Sequence, residues 1–211
     1  MNQAIPSQST GSAVESILEA AEKLFAEQSF SAVSMRQIGD QAGVSKANVF
    51  HHFGSKDKLY KVVIQRIIQA SRKLLEELDS GEDDYRSRLS QFSRGHLNNI
   101  LSNCQGACLL LQESRATRSG HGQQMAAELL GKQFNRLVNL IEMGQQAGEL
   151  RKNMDPAMVA SMLVSANLFF FEALPIIAHL DTVDFANDPD KYAQGVIDLL
   201  FNGIGAGGQE G

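Results

Sequence analysis

The chain has 211 residues, 43% hydrophobic and 20% charged, so it can bury a core and falls outside the compositional range of disordered chains. Its 2 cysteines, Cys104 and Cys108, are too few for a disulfide framework, and the polar start lacks the apolar run of a secretory signal. A reducing, cytoplasmic setting is expected, and a formal net charge of −5 excludes a general polyanion sponge.

The charge is unevenly placed. Residues 1–33 sum to −3, residues 34–61 to +3, and the remainder to −5. Phosphate contact needs only a local positive face, so a specific DNA reader stays compatible with the acidic total.

Residues 1–12 read as a disordered tail. Val14, Ile17, Leu18, Ala21, Leu24 and Phe25 then recur at helical spacing, giving one amphipathic face. Ser34 and Gln37 form a capping box that starts a second helix, with Met35, Ile38 and Ala42 on its inner side. Gly43 suits the left-handed position that ends it. Ser45 is a good N-cap for a short third helix running to about His52. Ser55 caps a fourth, with Asp57 complementing its dipole, which continues to Leu78 and stops at the cluster 79–84.

Helical periodicity resumes without strand signals. Leu89 to Leu101 form one helix, residues 106–115 a short one, and residues 121–147 a long one closed by Gly148. Asp155-Pro156 opens another that runs to about Leu180, where Pro175 is expected to kink or interrupt it. A last helix spans about 189–202. The expected fold is all-α, about nine helices.

Residues 35–52 read as helix, tight turn, helix, the layout whose second helix enters the major groove. At 100° per residue, Val49 and Phe53 share the inner face with Ile38, Ala42 and Val44. Ala47, Asn48, Phe50 and His51 then point outward, with Lys46 at the helix start. Asn reads adenine bidentately, Ala or Phe touches a thymine methyl, and Lys reaches guanine or phosphate. Lys56 and Ser34 stand at helix N-termini, where amide dipoles favour a phosphate.

The blocks Ile17–Phe25, Ser34-Met35, Ala42-Gly43-Val44-Ser45, Phe50-His51-His52-Phe53 and Ser55-Lys56-Asp57-Lys58-Leu59 closely resemble the DNA-binding domain of the TetR family of bacterial transcriptional regulators. The resemblance covers residues 17–63 in unbroken register. It implies an all-helical homodimer that sets three N-terminal helices on a palindromic operator, with a ligand-responsive C-terminal domain. The implied DNA-binding residues are Ser34, Arg36, Ser45, Lys46, Ala47, Asn48, Phe50, His51, His52 and Lys56, the last on a phosphate-contacting position. Two departures stand out: Ser29 replaces the family's usual Gly, and Phe50 its usual Tyr.

The expected division is a tail at 1–12, a reader at 13–60, a sensing and dimerisation domain at 61–203 and a tail at 204–211. Residues 158–180 are apolar enough to raise a membrane span, but Asn167, Glu172 and Pro175 interrupt them and no positive flank anchors them; a buried helix is expected. The expected dimer surface uses Phe169, Glu172, Ile176, Tyr192, Val196, Leu199 and Leu200. The expected pocket draws on His96, Ile100, Cys108, Met125, Met143, Met162, Asn167 and Phe170, for a hydrophobic effector within an adaptable methionine lining.

Cys104 and Cys108, one turn apart, read as buried small hydrophobes; two thiols alone complete no metal site. No catalytic or nucleotide-binding motif is present, so no enzymatic activity and no cofactor is expected. The leading expectation is a repressor released by its effector. Its rivals are a protein of the same fold that binds no operator, and a thiol-based redox regulator using Cys104 and Cys108.

Overall fold

A computed structural model describes residues 9–81, 83–115 and 121–203. Among them are nine α-helices and no strand: α1 (Ser9–Glu27), α2 (Met35–Ala42), α3 (Lys46–Phe53), α4 (Lys56–Asp79), α5 (Tyr85–Ser102), α6 (Cys104–Arg115), α7 (His121–Gln146), α8 (Pro156–Ile177) and α9 (Pro189–Asn202), with a 3-10 turn at Asp184–Asn187 before the last. Both expected tails fall largely outside the described residues, at 1–8 and 204–211. Helix α1 starts at Ser9, so the end of the N-terminal tail is helical; Ser16 Oγ donates to the Ser12 carbonyl within this opening stretch, at 3.0 Å.

Local chemistry sets most boundaries. Ser34 Oγ accepts from Gln37 N at 3.2 Å while Gln37 Oε1 accepts from Ser34 N at 2.8 Å, closing the capping box of α2. Gly43 ends α2 at φ 69°, where a side chain would be strained. Asp84 caps α5 by accepting from Ser87 N and Ser87 Oγ, each at 2.9 Å, and these bonds hold its carboxyl below the usual range. Asp155 accepts from Ala157 N and Met158 N, with Pro156 in the first turn of α8. Pro175 lies inside α8 without breaking it, because it is exposed and only the last two residues of the helix follow it.

The packing forms two compact units, and α4 and α7 each begin in the first and end in the second. The first holds the chain through Gln69 together with Asn103–Leu130. Its core gathers Ile17, Leu24 and Phe25 of α1, Ile38 of α2, Val49 of α3 and Leu59, Tyr60, Val63 and Ile64 of α4. Leu109 of α6 joins them. Tyr60 meets Phe25 and Phe30 edge-on, each at 4.9 Å between ring centroids. Helix α6 is tied to α1 by Asn103 Nδ2, which donates to Glu22 Oε1 at 2.8 Å.

The second unit holds Ala70–Ser102 and the chain from Gly131. One apolar cluster joins Leu75 and Leu78 of α4 with Phe92, Leu140, Leu163 and Ile197. Another centres on Leu97, Phe170 and Ala193, with Phe185 and Tyr192 against them. Arg88 is buried, donates to the Leu78 carbonyl at the end of α4, and lies 4.6 Å from the Tyr85 ring.

Two expectations need correction. Helix α8 is not a buried helix: only one face is, carrying Ala160, Leu163, Asn167 and Phe170, while Met158, Met162, Phe169 and Ile176 are exposed. Its 22 residues are long and apolar enough to cross a membrane by length and composition, yet they divide into a core face and an open face. Cys104 and Cys108 are also exposed. The inner stripe of α6 is instead Gly106, Leu109 and Glu113, because Gly106 sits where a Cβ would stand 2.8 Å from Ile67 Cγ2.

Candidate nucleic-acid interface

Helices α2 and α3 approach at a point that depends on a glycine the sequence reading did not single out. A Cβ on Gly39 would stand 2.8 Å from the Val44 carbonyl oxygen and 3.3 Å from Lys46 N. Val44 N donates to Gly39 O at 2.9 Å across this contact, pinning the turn. The missing signal was tertiary: Gly39 lies mid-helix, where the residue only lowers helix propensity.

From this turn α3 projects with Val49 fully buried and Phe53 partly buried against the first unit's core. Ser45 Oγ accepts from Asn48 N at 3.1 Å, fixing the first turn. Lys46, Ala47 and His51 are exposed, Asn48 and His52 half-buried, and Phe50, at 41% exposure, is an unusually open large aromatic. Lys46 Nζ stands 5.6 Å from the Phe50 ring centroid, and the His51 and His52 rings lie 5.3 Å apart. The face thus combines a cation, an amide, an apolar ring and imidazoles on one short helix.

Beside it, Ser34 and Arg36 are exposed at the start of α2. Arg36 makes a loose ion pair with Asp40, 3.7 Å away and open to solvent, which a phosphate can displace at small cost. Lys56 is different. Its Nζ donates to the Phe30 carbonyl at 2.8 Å and the Val33 carbonyl at 2.9 Å, and lies 4.4 Å from the Phe30 ring centroid. Ser29 leaves this geometry intact. No described non-glycine residue has positive φ, so Ser29 turns the chain without left-handed backbone, accepting at its carbonyl from Ala32 N at 3.0 Å.

The residues expected to line a pocket are only partly brought together. His96 Nδ1 faces Asn167 Nδ2 at 3.1 Å, and the same Nδ2 donates to the Ser93 carbonyl at 2.9 Å. Burial pushes the His96 imidazole down to about 4, so it is neutral at pH 7 with Nδ1 accepting. Its ring stacks on Phe92 at 5.2 Å. Ser93, which the sequence reading passed over, is fully buried; its Oγ and Asn167 Oδ1 have no hydrogen-bond partner among the described residues. Ile100 and Phe170 are buried, whereas Met143 and Met162 are at the surface. Cys108 is exposed in the first unit, and the Met125 side chain lies outside the described residues.

Of the expected dimer surface, Phe169, Glu172, Ile176 and Leu199 are exposed, and Val196 and Leu200 pack partly against the core. Tyr192 turns inward: its ring lies 4.6 Å from Phe170, and its hydroxyl donates to the Ala166 carbonyl at 2.7 Å. A half-buried phenol needs such an acceptor, which draws it to the core side of α9.

Residues 17–63 match the family model of bacterial regulatory proteins, tetR family. The HTH-type transcriptional activator FasR of Mycolicibacterium smegmatis is 30% identical over 113 residues, 54% of this chain and 50% of that protein, so the chain spans half the length of that relative. A solved structure of a putative fatty acid metabolism regulator from Clostridium perfringens superposes with a TM-score of 0.76 at 16% identity, covering 91% of this chain and 100% of that one. The transcriptional regulator FadR of Bacillus subtilis, solved with stearoyl-CoA, gives a TM-score of 0.70 at 20% identity, covering 90% and 99%. At these identities the two structures share its fold.

Proposed function

We propose that this chain, whose residues 17–63 match the family model of bacterial regulatory proteins, tetR family, is a ligand-responsive transcriptional regulator that binds a palindromic operator as a homodimer. The observation that carries this reading is the outward face of α3, with Lys46, Phe50 and His51 open to solvent and Asn48 half-buried beside them, above a buried Val49. Asn48 is the adenine reader, Phe50 and Ala47 the thymine-methyl contacts, and Lys46 and His51 the guanine or phosphate contacts. Ser34, Arg36 and Ser45 meet backbone phosphates, and His52 flanks the face. Residues 13–60 serve as the reader and 61–203 as the sensing and dimerisation region.

The second copy docks on the open face of α8 and the exposed Leu199 of α9. Phe169 and Ile176, at 58% and 69% exposure, are too large an apolar area to leave in water beside Met158 and Met162. Two recognition helices joined in this way read adjacent major-groove faces about 34–36 Å apart. An effector acts by binding one spacing of the two readers better than the other. The effector is hydrophobic, and its output is repression relieved on binding. The fold shared with regulators of fatty acid metabolism supports a long acyl chain as the first probe.

The test is selection of an operator from random double-stranded DNA by the wild-type chain, followed by mobility shift with and without stearoyl-CoA. The reading expects a palindromic site, loss of binding in Asn48→Ala and Lys46→Ala, and release by the acyl ligand. Selection of no sequence refutes the DNA-binding reading, and binding indifferent to stearoyl-CoA refutes the acyl effector alone.

A further inference from the structure

Lys56 opens α4 at a place where a cation would ordinarily be assigned to phosphate, yet its ammonium is turned onto the fold. Of its three N–H donors, two are committed to the Phe30 and Val33 carbonyls, and the charge lies over the Phe30 ring. The geometry points to Lys56 as a positioning residue: it holds the Ser34 phosphate seat in place and does not itself contact DNA. The inference rests on the operator binding proposed above.

The link is short. Phe30 and Val33 belong to the turn between α1 and α2, whose internal bonds include Ala32 N and Val33 N to the Ser29 carbonyl, at 3.0 and 3.4 Å. Val33 O is the carbonyl of the peptide whose N–H is Ser34 N, and that N–H donates to Gln37 Oε1 in the capping box. Lys56 therefore grips the peptide that seats the N-cap of α2. Val33 is buried, so water cannot fully replace the lost donor if the ammonium is removed. Phe30, ringed by Phe25 and Tyr60, anchors the other end of the clamp to the core. Lys46, by contrast, is exposed on α3.

The two roles differ in salt dependence. A cation that neutralises a phosphate steepens the dependence of log K on log salt by about 0.9 per contact, whereas a positioning residue changes affinity at constant slope. Operator affinity is measured from low to high salt for wild type, Lys56→Met, Ser34→Ala, the double variant, and Lys46→Met as the phosphate-type control. Lys56→Met is expected to weaken binding about tenfold, the size of one lost charge-assisted hydrogen bond, with the wild-type slope retained. Its effect should shrink when Ser34 is already Ala, because both act through one seat. A slope reduced by about one unit per protomer, an unchanged affinity, or strict additivity with Ser34→Ala overturns the inference. If wild type selects no operator, the functional reading itself fails; if only the Lys56 variants depart, that reading stands and this inference falls. Should Lys56→Met fail to fold, nitrogen-15 NMR of the wild-type Lys56 ammonium decides: a signal shifted by operator DNA refutes the clamp, and an unshifted one upholds it.

Discussion

Lowering the pH from 7.5 to 5 should destabilise the protein through one side chain, His96. In the folded chain Asn167 Nδ2 spends one hydrogen on the Ser93 carbonyl and faces His96 Nδ1 with the other. Protonating Nδ1 sets two donors against each other, and turning the Asn167 amide over would instead oppose its oxygen to the Ser93 carbonyl. Burial lowers the folded value to about 4 from the ordinary 6.5. The sign follows from linkage: between these values the unfolded chain binds the extra proton, so stability is full above pH 6.5 and is lost as pH falls toward 4. Each unit is worth about 1.4 kcal/mol, so the window holds at most about 3 kcal/mol, and about 2 of it disappears by pH 5. Urea unfolding followed by circular dichroism, at one fixed micromolar concentration, reads this loss in wild type and in His96→Gln. Glutamine keeps an acceptor but does not titrate, so the variant should lose about 2 kcal/mol less than wild type between pH 7.5 and pH 5. Equal losses in the two proteins refute the neutral-acceptor assignment.

Other measurements bear on separate parts of the structure. Gly39→Val should lower the melting temperature and weaken operator binding, because β-branched bulk at the Val44 carbonyl forces α2 and α3 apart at a cost of about 1–3 kcal/mol; an unchanged melting curve refutes the close approach. Phe169→Glu combined with Ile176→Glu should sediment as a monomer with its helical content intact, since both side chains are exposed within one chain; a persisting dimer moves the interface elsewhere. Asn48→Ala should cost about 1–3 kcal/mol on the selected operator and almost nothing on random DNA, and an equal loss on both removes it as a base reader.

Much of this architecture follows from chemistry confined to a few neighbouring residues. Ser34 with Gln37, Ser45, Gly43, Gly148 and Asp155-Pro156 mark helix ends because caps and left-handed turns are satisfied within one turn of chain. The inner and outer faces of α3 were equally legible, since Val49 and Phe53 repeat at helical spacing. Pairings between distant residues were not. Nothing near position 56 in the chain says that Phe30 and Val33 carbonyls wait for its ammonium, and nothing near position 167 supplies Ser93 and His96 as partners.

The sequence by itself determined the nine helices found among the described residues, a segment at 17–63 that matches the tetR-family model and a locally cationic stretch within an acidic chain, because periodicity, capping and charge are properties of neighbours. Only the tertiary structure decided which faces of α6 and α8 are inside. Gly106 turns the exposed thiols of α6 outward by letting Ile67 approach, Asn167 and Phe170 keep one side of α8 in the core while Phe169 and Ile176 stay open, and Lys56 becomes a clamp. Each of these outcomes depends on which surfaces fit at close approach, and that fit is set by residues far apart in the chain.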